Sequence, residues 1–575
     1  MYKSTDAGAS WSAVAAYDTT GLPGAVPAPN LLGWADGGLS GFMPDEGGQG
    51  TYDLTLIVDP DDPDMLFTGG VNMWGSDDGG LSWDIVSMWI RMFGNSIHAD
   101  QHSSSWQPQT GKLFQSHDGG FNITSEPIIG DFNYVYTNCI DWMAVMAGDY
   151  DNAIIPDCYE IPTEWESIAG GIHNTEYYRL GCCRSHADMV IGGTQDNGTY
   201  LYKDGEWVNT LGGDGMECMI HHTNPDIIFA TNYNGALSRS DDGGLTYTSS
   251  LDTVITQGAG ESGDWVTPFV MHPHGGDTIF AAFENVWKSG DLGVTWTKLG
   301  DLPSGSSLRV LEVSRANPDY IYTSRSGAIY RTKDGGQNWD NITSGLSLGV
   351  SKITGITTDF DDPEKVWISV SGFQDGIKAY MSADAGNTWA NISENLPNVS
   401  MNAIVFQGGT INGVTGALYI GSDIGVFYTN DSIQGTTSPW IMYSDGLPNV
   451  IINELEIHYG AQKLRAATYG RGLWETDLYS ESVIEDITEP AGSTIEVNIF
   501  PNPNKGVFTI SATMIEANDI SIDIFAITGE NIISLTEKAD KNYSKQVNIS
   551  SLASGTYLVQ IEINNCHYTK RVVKE

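Results

Sequence analysis

The residues best equipped for chemistry fall in a few short stretches. His98-Ala99-Asp100-Gln101-His102 sets two imidazoles and a carboxylate at alternate positions. On a strand, successive side chains point to opposite faces, so His98, Asp100 and His102 would share one face. Two imidazoles and a carboxylate suit a transition-metal ion. The competing reading is a polar strand face bonded to backbone and water. A second cluster joins Asp196, in GGTQDNG, to Asp214 and Glu217, in GGDGME. Flanking glycines let backbone approach a ligand closely. Two such carboxylates on adjacent strands could face each other across a cleft. Inverting glycoside hydrolysis requires such a pair, one protonated and one ionised, about 6.5–9.5 Å apart. Against this, Asp196 and Asp214 could simply close turns by accepting bonds from the backbone ahead of them.

These residues must be held by a repeated element. Residues 76–83 read SDDGGLSW, and the pattern Ser/Thr-x-Asp-x-Gly-x-x-Trp returns at 4–11, 289–296, 332–339 and 382–389. Residues 240–247 (SDDGGLTY) end in Tyr, 116–123 (SHDGGFNI) lack the aromatic, and Thr429-Asn430-Asp431 with a late Trp440 reads as a copy with an insertion. The Asp accepts backbone N–H bonds and closes the turn, Ser or Thr adds a weaker bond, Gly takes positive φ, and Trp anchors the next strand. These Asp residues are therefore expected to be structural. Boxes beginning at 240, 289, 332, 382 and 429 are spaced by 49, 43, 50 and 47 residues. Such a period, with 67 Gly and short Val/Ile/Thr runs between turn signals, predicts an all-β chain of propeller blades. No helical periodicity of useful length is present.

This pattern is the Asp box of the bacterial-neuraminidase repeat. It resembles β-propeller families such as sialidases, xyloglucanases and sortilin-like receptors. The resemblance implies a ligand site at the mouth of the central channel, with Asp-box turns on the rim of the opposite face. The span predicts about nine or ten blades, as one large ring or as two rings. The irregular stretch at 132–169, which has no box, favours two. Asp423, in GSDIGVF, resembles the xyloglucanase segment that carries a catalytic Asp. The sialidase likeness fails at its site: Tyr178-Arg179-Leu180-Gly181 lacks the Pro of the Arg-Ile-Pro segment, and arginines are few. Carbohydrate subsites need exposed aromatic platforms, and Trp74, Trp89, Trp106 and Trp265 lie near the candidate loops. The expectation is a secreted or cell-surface propeller acting on or binding polysaccharide or surface glycan, an inverting glycoside hydrolase with two of Asp196, Asp214, Glu217 and Asp423 as acid and base. The alternative is a non-catalytic propeller that binds glycan or protein.

The formal charge of −45 is uneven: residues 494–575 hold 7 Lys/Arg against 9 Asp/Glu, leaving about −43 for residues 1–493. Such a surface repels nucleic acid and anionic membranes and suits a salty or extracellular medium. The acidic turns VDPDDPD (58–64) and TDFDDPE (358–364) could ligate Ca²⁺, but the EF-hand order is absent and Asp-Pro turns between strands are common, so plain turns are the favoured reading. Six cysteines show no CxxC spacing, so zinc is not indicated, and Cys139 and Cys158 bracket the irregular segment as a candidate disulfide. No apolar run approaches the roughly 20 residues that span a bilayer. Met1 stands three residues before an Asp box, which reads as a truncated or artificial start.

Residues 1–474 are thus the expected propeller region and 475–493 an acidic linker. Residues 494–575 contain FPNP, TG, GTY and a basic finish, KRVVK. They resemble the type A C-terminal sorting domain of the Bacteroidota type IX secretion system. That resemblance implies a β-sandwich, export across the outer membrane, and the secretion machinery as a partner.

Overall fold

The computed structural model describes residues 2–13, 31, 50–87, 97–129, 163–171, 173–431, 439–480, 496–514, 518–526, 531–563 and 566–574. The chain forms two compact units, residues 1–479 and 480–575.

The first unit is built from the box turn outward. Asp78 Oδ1 accepts the backbone N–H groups of Leu81 (2.8 Å) and Ser82 (2.9 Å), while Ser76 Oγ donates to Asp78 and accepts from Gly80 N. Asp242, Asp291, Asp334 and Asp384 repeat the arrangement. The ring nitrogens of Trp296, Trp339, Trp389 and Trp440 each donate to a backbone carbonyl 45 to 48 or 40 residues earlier, so each turn is pinned to the preceding sheet. Trp440 makes this anchor although its box is interrupted. Hydrogen bonds from Ser82 and Ser76 outweigh burial and hold the Asp78 carboxyl down at about 2. Because the folded value lies below the unfolded one, this stabilisation is present above about pH 4 and is lost as pH falls toward 2. Asp78→Ala or Asp384→Ala should lower Tm by roughly 2–4 °C and leave ligand binding unchanged, which a thermal scan beside a binding assay would check.

Seven antiparallel sheets follow one another from Tyr177 to Asp477, each beginning with an inner strand: Tyr177–Cys182, Cys218–Ile220, Phe269–Met271, Val310–Val313, Ile353–Thr358, Met401–Gln407 and Ile451–His458. Each inner strand packs against the next, and the seventh packs against the first. The result is a closed seven-bladed β-propeller. Among the described residues three further sheets precede it: a two-stranded pair of Tyr2–Lys3 and Ser12–Ala13, a sheet within residues 55–87, and a sheet of Gln101–Gln107, Lys112–His117, Gly120–Thr124 and Glu166–Ser167; the last two form a two-sheet array whose first strands pack together. The irregular stretch thus separates a closed ring from an earlier array.

Ring closure uses side chains where the ladder cannot. Leu180 N donates to Glu454 Oε2 (2.6 Å) and Cys182 N to Glu456 Oε2 (2.8 Å), while Asn453 Nδ2 donates to the Tyr177 carbonyl (2.8 Å). Arg465 reaches the Ala187 carbonyl from the last blade.

Two sequence expectations are corrected. Residues 116–123 are not an Asp box: Asp118 sits between the second and third strands of its sheet, and Ser116 Oγ donates to the Ser103 carbonyl instead of to the Asp. Ile123 stands where a box has its aromatic anchor. His98, Asp100 and His102 do not share a strand face, because the strand begins at Gln101 and Asp100 adopts φ 65°. Both acidic Asp-Pro turns close on themselves, with Asp59 and Asp359 each accepting two backbone N–H groups ahead. Cys139, Cys158 and Trp89 lie outside the described residues. Cys182, Cys183 and Cys218 are buried free thiols.

The second unit is a two-sheet sandwich. One sheet pairs Glu496–Phe500, Val507–Thr513 and Asn542–Asn548, and the other pairs Asn531–Ala539, Asn518–Ala526, Gly555–Ile563 and Cys566–Lys574. Phe508, Ile510, Ile520, Ile522, Ile524 and Val559 lie in its core, each at most 1 % exposed.

Candidate functional site

Antiparallel order sorts the turns by face. In each blade the first-to-second and third-to-fourth strand turns share one end, and the second-to-third turns share the other with the connectors between blades. Asp boxes are third-to-fourth turns. Asp118, Asp196, Tyr233 and Asp423 lie on second-to-third turns, whereas Asp53, Asp100, Asp214 and Trp265 lie on connectors. Both groups therefore occupy the face opposite the boxes.

On that face several acids converge where the two-sheet array meets the ring. One carboxylate oxygen from each of Asp100, Asp118 and Asp196 lies within 4.8 Å of the others. Asp214 Oδ1 accepts the Asp196 N–H at 2.7 Å, so these two predicted residues meet, with Asp214 closing the Asp196 turn. Burial, the Asp118 carboxyl and the Asp214 charge push Asp196 up to about 8. Burial and the Asp118 and Asp53 charges push Asp100 up to about 7. His102 Nε2 bonds Asp118 Oδ1 at 2.5 Å, and Tyr52 donates to Asp118 Oδ2 at 2.8 Å. His98 is committed elsewhere: Nε2 bonds the Asp196 carbonyl at 3.1 Å and the ring stacks on His117.

The other two predicted acids stand apart from this cluster. Glu217 is buried, its carboxylate 3.5 Å from Arg179 Nε, and burial pushes it up to about 7. Asp423 accepts bonds from Asn402 Nδ2 (3.0 Å) and Ser400 N (3.4 Å), closing its own blade's turn.

An aromatic platform adjoins the acids. Tyr233 and Trp265 are 50 % and 47 % exposed, and their rings stack at 5.5 Å and 8°. The Trp265 indole reaches Tyr178, whose hydroxyl donates to Gln195 Oε1 at 3.0 Å, beside Asp196. Tyr469 contacts the same Gln195. Asp118 also lines a cavity of about 600 Å³, together with Asn174, Asn197, Tyr200, Trp207, Arg471 and Trp474. Of the tryptophans singled out in the sequence, Trp74 is fully buried and Trp106 packs against a core, while Trp265 is open. Sequence reasoning missed Asp53, Asp118, Tyr233 and Trp207; the missing aromatic at Ile123 was the available signal for Asp118.

A second cavity, of about 360 Å³, occupies the channel beside Arg184, Glu312, Arg315, Phe360, Glu456 and Tyr459. Glu312 accepts Thr358 N and Oγ1 there, and burial pushes it up to about 7.

Residues 498–575 match the secretion-system C-terminal sorting domain, and residues 284–409 match the sortilin, neurotensin receptor 3, family model. A xyloglucanase of Hypocrea jecorina (strain QM6a) is 21 % identical over 455 residues, covering 76 % of this chain and 49 % of that protein. The chain thus spans about half the length of the curated relative it matches. Among solved structures, a GH74 enzyme of Niastella koreensis is similar at 15 % identity and TM-score 0.46, covering 75 % of this chain and 60 % of that one. PorZ, a surface component of the type-IX secretion system of Porphyromonas gingivalis, is similar at 13 % identity and TM-score 0.42, covering 91 % and 70 %. The chain is an Asp-box β-propeller protein whose C-terminal unit directs export, to the medium or the outer cell surface. Among the described residues no helix is long and apolar enough to cross a membrane.

Proposed function

We propose that this exported propeller binds polysaccharide on the face opposite its Asp boxes. The carrying observation is the stacked, half-exposed Tyr233–Trp265 pair, linked through Tyr178 and Gln195 to the acid cluster. An apolar sugar face packs on such a platform, while neighbouring carboxylates and amides accept or donate hydroxyl bonds. The groove bounded by Trp207 and Trp474 extends the aromatic surface. The similarity to a xyloglucanase supports a β-glucan as the class of ligand.

Affinity electrophoresis against xyloglucan and mixed-linkage β-glucan tests this. Trp265→Ala should weaken retention about tenfold, because stripping one aromatic platform removes roughly 1–2 kcal/mol of packing. Wild-type mobility unaffected by any glucan would overturn the reading.

Hydrolysis is the second reading, favoured by the Asp214 charge acting on the Asp196 carboxyl on the open face, beside the turn that Asp214 closes. In that reading they are the acid–base pair, and Asp214→Asn should lower reducing-end release about 10²–10⁴-fold with binding retained. Binding without any product release leaves the chain as a binding protein.

A further inference from the structure

We propose that the channel mouth on the Asp-box face of the ring binds a tetrahedral oxyanion, phosphate or sulfate, between Arg184 and Arg315. The turns joining first and second strands share that face. In five blades one backbone bond closes them alike: the N–H groups of Cys183, His221, His272, Ser314 and Asp359 each donate to the carbonyl six residues ahead. The next residues are Arg184, His222, Pro273, Arg315 and Phe360. One repeat position, filled differently in each blade, therefore sets the chemistry of this mouth. Arg184, Pro273, Arg315 and Phe360 line the cavity of about 360 Å³, with Tyr459 from the last blade.

The two arginines are positioned without being neutralised. Among the described residues the arginine ion pairs are made by Arg179, Arg239, Arg309, Arg331 and Arg465, and Arg184 and Arg315 make none. Arg184 Nη1 donates to the Pro273 carbonyl at 2.9 Å. The Arg315 guanidinium lies over the Phe360 ring at 4.6 Å and 6.0 Å from the Tyr459 ring. Tyr459 is itself fixed, its hydroxyl donating to the Phe406 carbonyl and accepting from Gly408 N. The two carboxylates of the cavity serve the backbone: Glu312 accepts from Thr358 N, and Glu456 from Cys182 N. Burial pushes both carboxyls up, Glu312 to about 7, which reduces the negative charge they offer. His222 Nδ1 is buried with no hydrogen-bond partner among the described residues; burial and the Arg184 charge, with Arg315 adding, pull that ring down to about 3.

Guanidinium groups that share a cavity repel each other, and an oxyanion between them removes that cost. Each fork takes an oxyanion through paired N–H groups. A carboxylate presents one edge and is satisfied by a single fork. A phosphate or sulfate group presents several edges and up to two charges, which matches forks arriving from the first and fourth blades. The site lies on the face opposite the Tyr233–Trp265 platform and does not depend on glycan binding there.

Calorimetric titration of the full chain with sodium phosphate and sodium sulfate, in chloride-free HEPES buffer, tests this. The expected result is one ion per chain and a rise in Tm, since a ligand of the folded state stabilises it. Arg184→Gln and Arg315→Gln should each weaken binding roughly 10–100-fold, the loss of one charged donor fork. Lys112→Gln, on the earlier array, should change nothing, and Trp265→Ala should bind the ion as wild type does. If Arg184→Gln, which loses its bond to Pro273, does not fold, Arg315→Gln carries the same comparison. Glucose 6-phosphate and glucose 6-sulfate identify the source. Esters binding as tightly as the ions assign the site to a substituted sugar, and binding of the ions alone assigns it to the free ion; both support the oxyanion site. No binding and no Tm rise with either ion, wild-type affinity in the arginine variants, or sodium acetate binding as tightly as phosphate would overturn the proposal.

Discussion

A chain ending at residue 479 should fold as the full-length propeller does and fail to reach the cell surface. The two units have separate cores: Phe508, Ile510, Ile522 and Val559 pack within the sandwich, and the ring closes on its own strands between Tyr177 and Asp477. Burial within each unit is what stabilises it, so removing one leaves the other's core intact. The sorting match covers 498–575, within the unit removed. Fractionating cells that make each form, beside thermal unfolding of the two purified proteins, checks both halves. Surface delivery of the shortened chain would contradict the sorting assignment; a large fall in its Tm would contradict separate cores.

The second large effect concerns ring closure. Glu454→Ala with Glu456→Ala should destabilise the propeller by several kcal/mol, at roughly 1–3 kcal/mol for each buried N–H left unpaired. The N–H groups are those of Leu180 and Cys182, in the first inner strand. Burial pushes both carboxyls up, and for Glu454 the nearby Glu217 charge adds to this. Gln keeps an oxygen acceptor and carries no charge, so the double Gln variant should stay within about 1 kcal/mol of wild type. Urea unfolding distinguishes them. Equal losses in the Ala and Gln pairs would show that packing, not the acceptor oxygens, closes the ring.

The boxes were legible because their chemistry is local. Asp78 bonds residues three and four ahead, and the tryptophan follows at fixed spacing, so one line of sequence contains the whole turn. Their repeat interval then announced blades. The closure was not legible, since Glu454 and Leu180 are 274 residues apart. The site was half legible. Flanking glycines marked Asp196 and Asp214, and in the structure Asp214 closes the Asp196 turn, the role that the sequence also allowed. Asp118 was hidden inside a false Asp box, and Asp100 left the expected strand because its φ of 65° breaks the alternation of side chains. Tyr233 and Trp265 come from a turn and a connector 32 residues apart, and only the blade geometry stacks them.

The central claim is that ligand binds the face opposite the Asp boxes. Hydrogen exchange with and without a saturating β-glucan oligosaccharide tests it most directly, because opening is read residue by residue. Exchange should slow at residues 195–197, 233–235 and 262–265, with the box turns at 289–296, 332–339 and 382–389 unchanged. Protection confined to the box turns, or to the channel cavity beside Arg184 and Arg315, would contradict it.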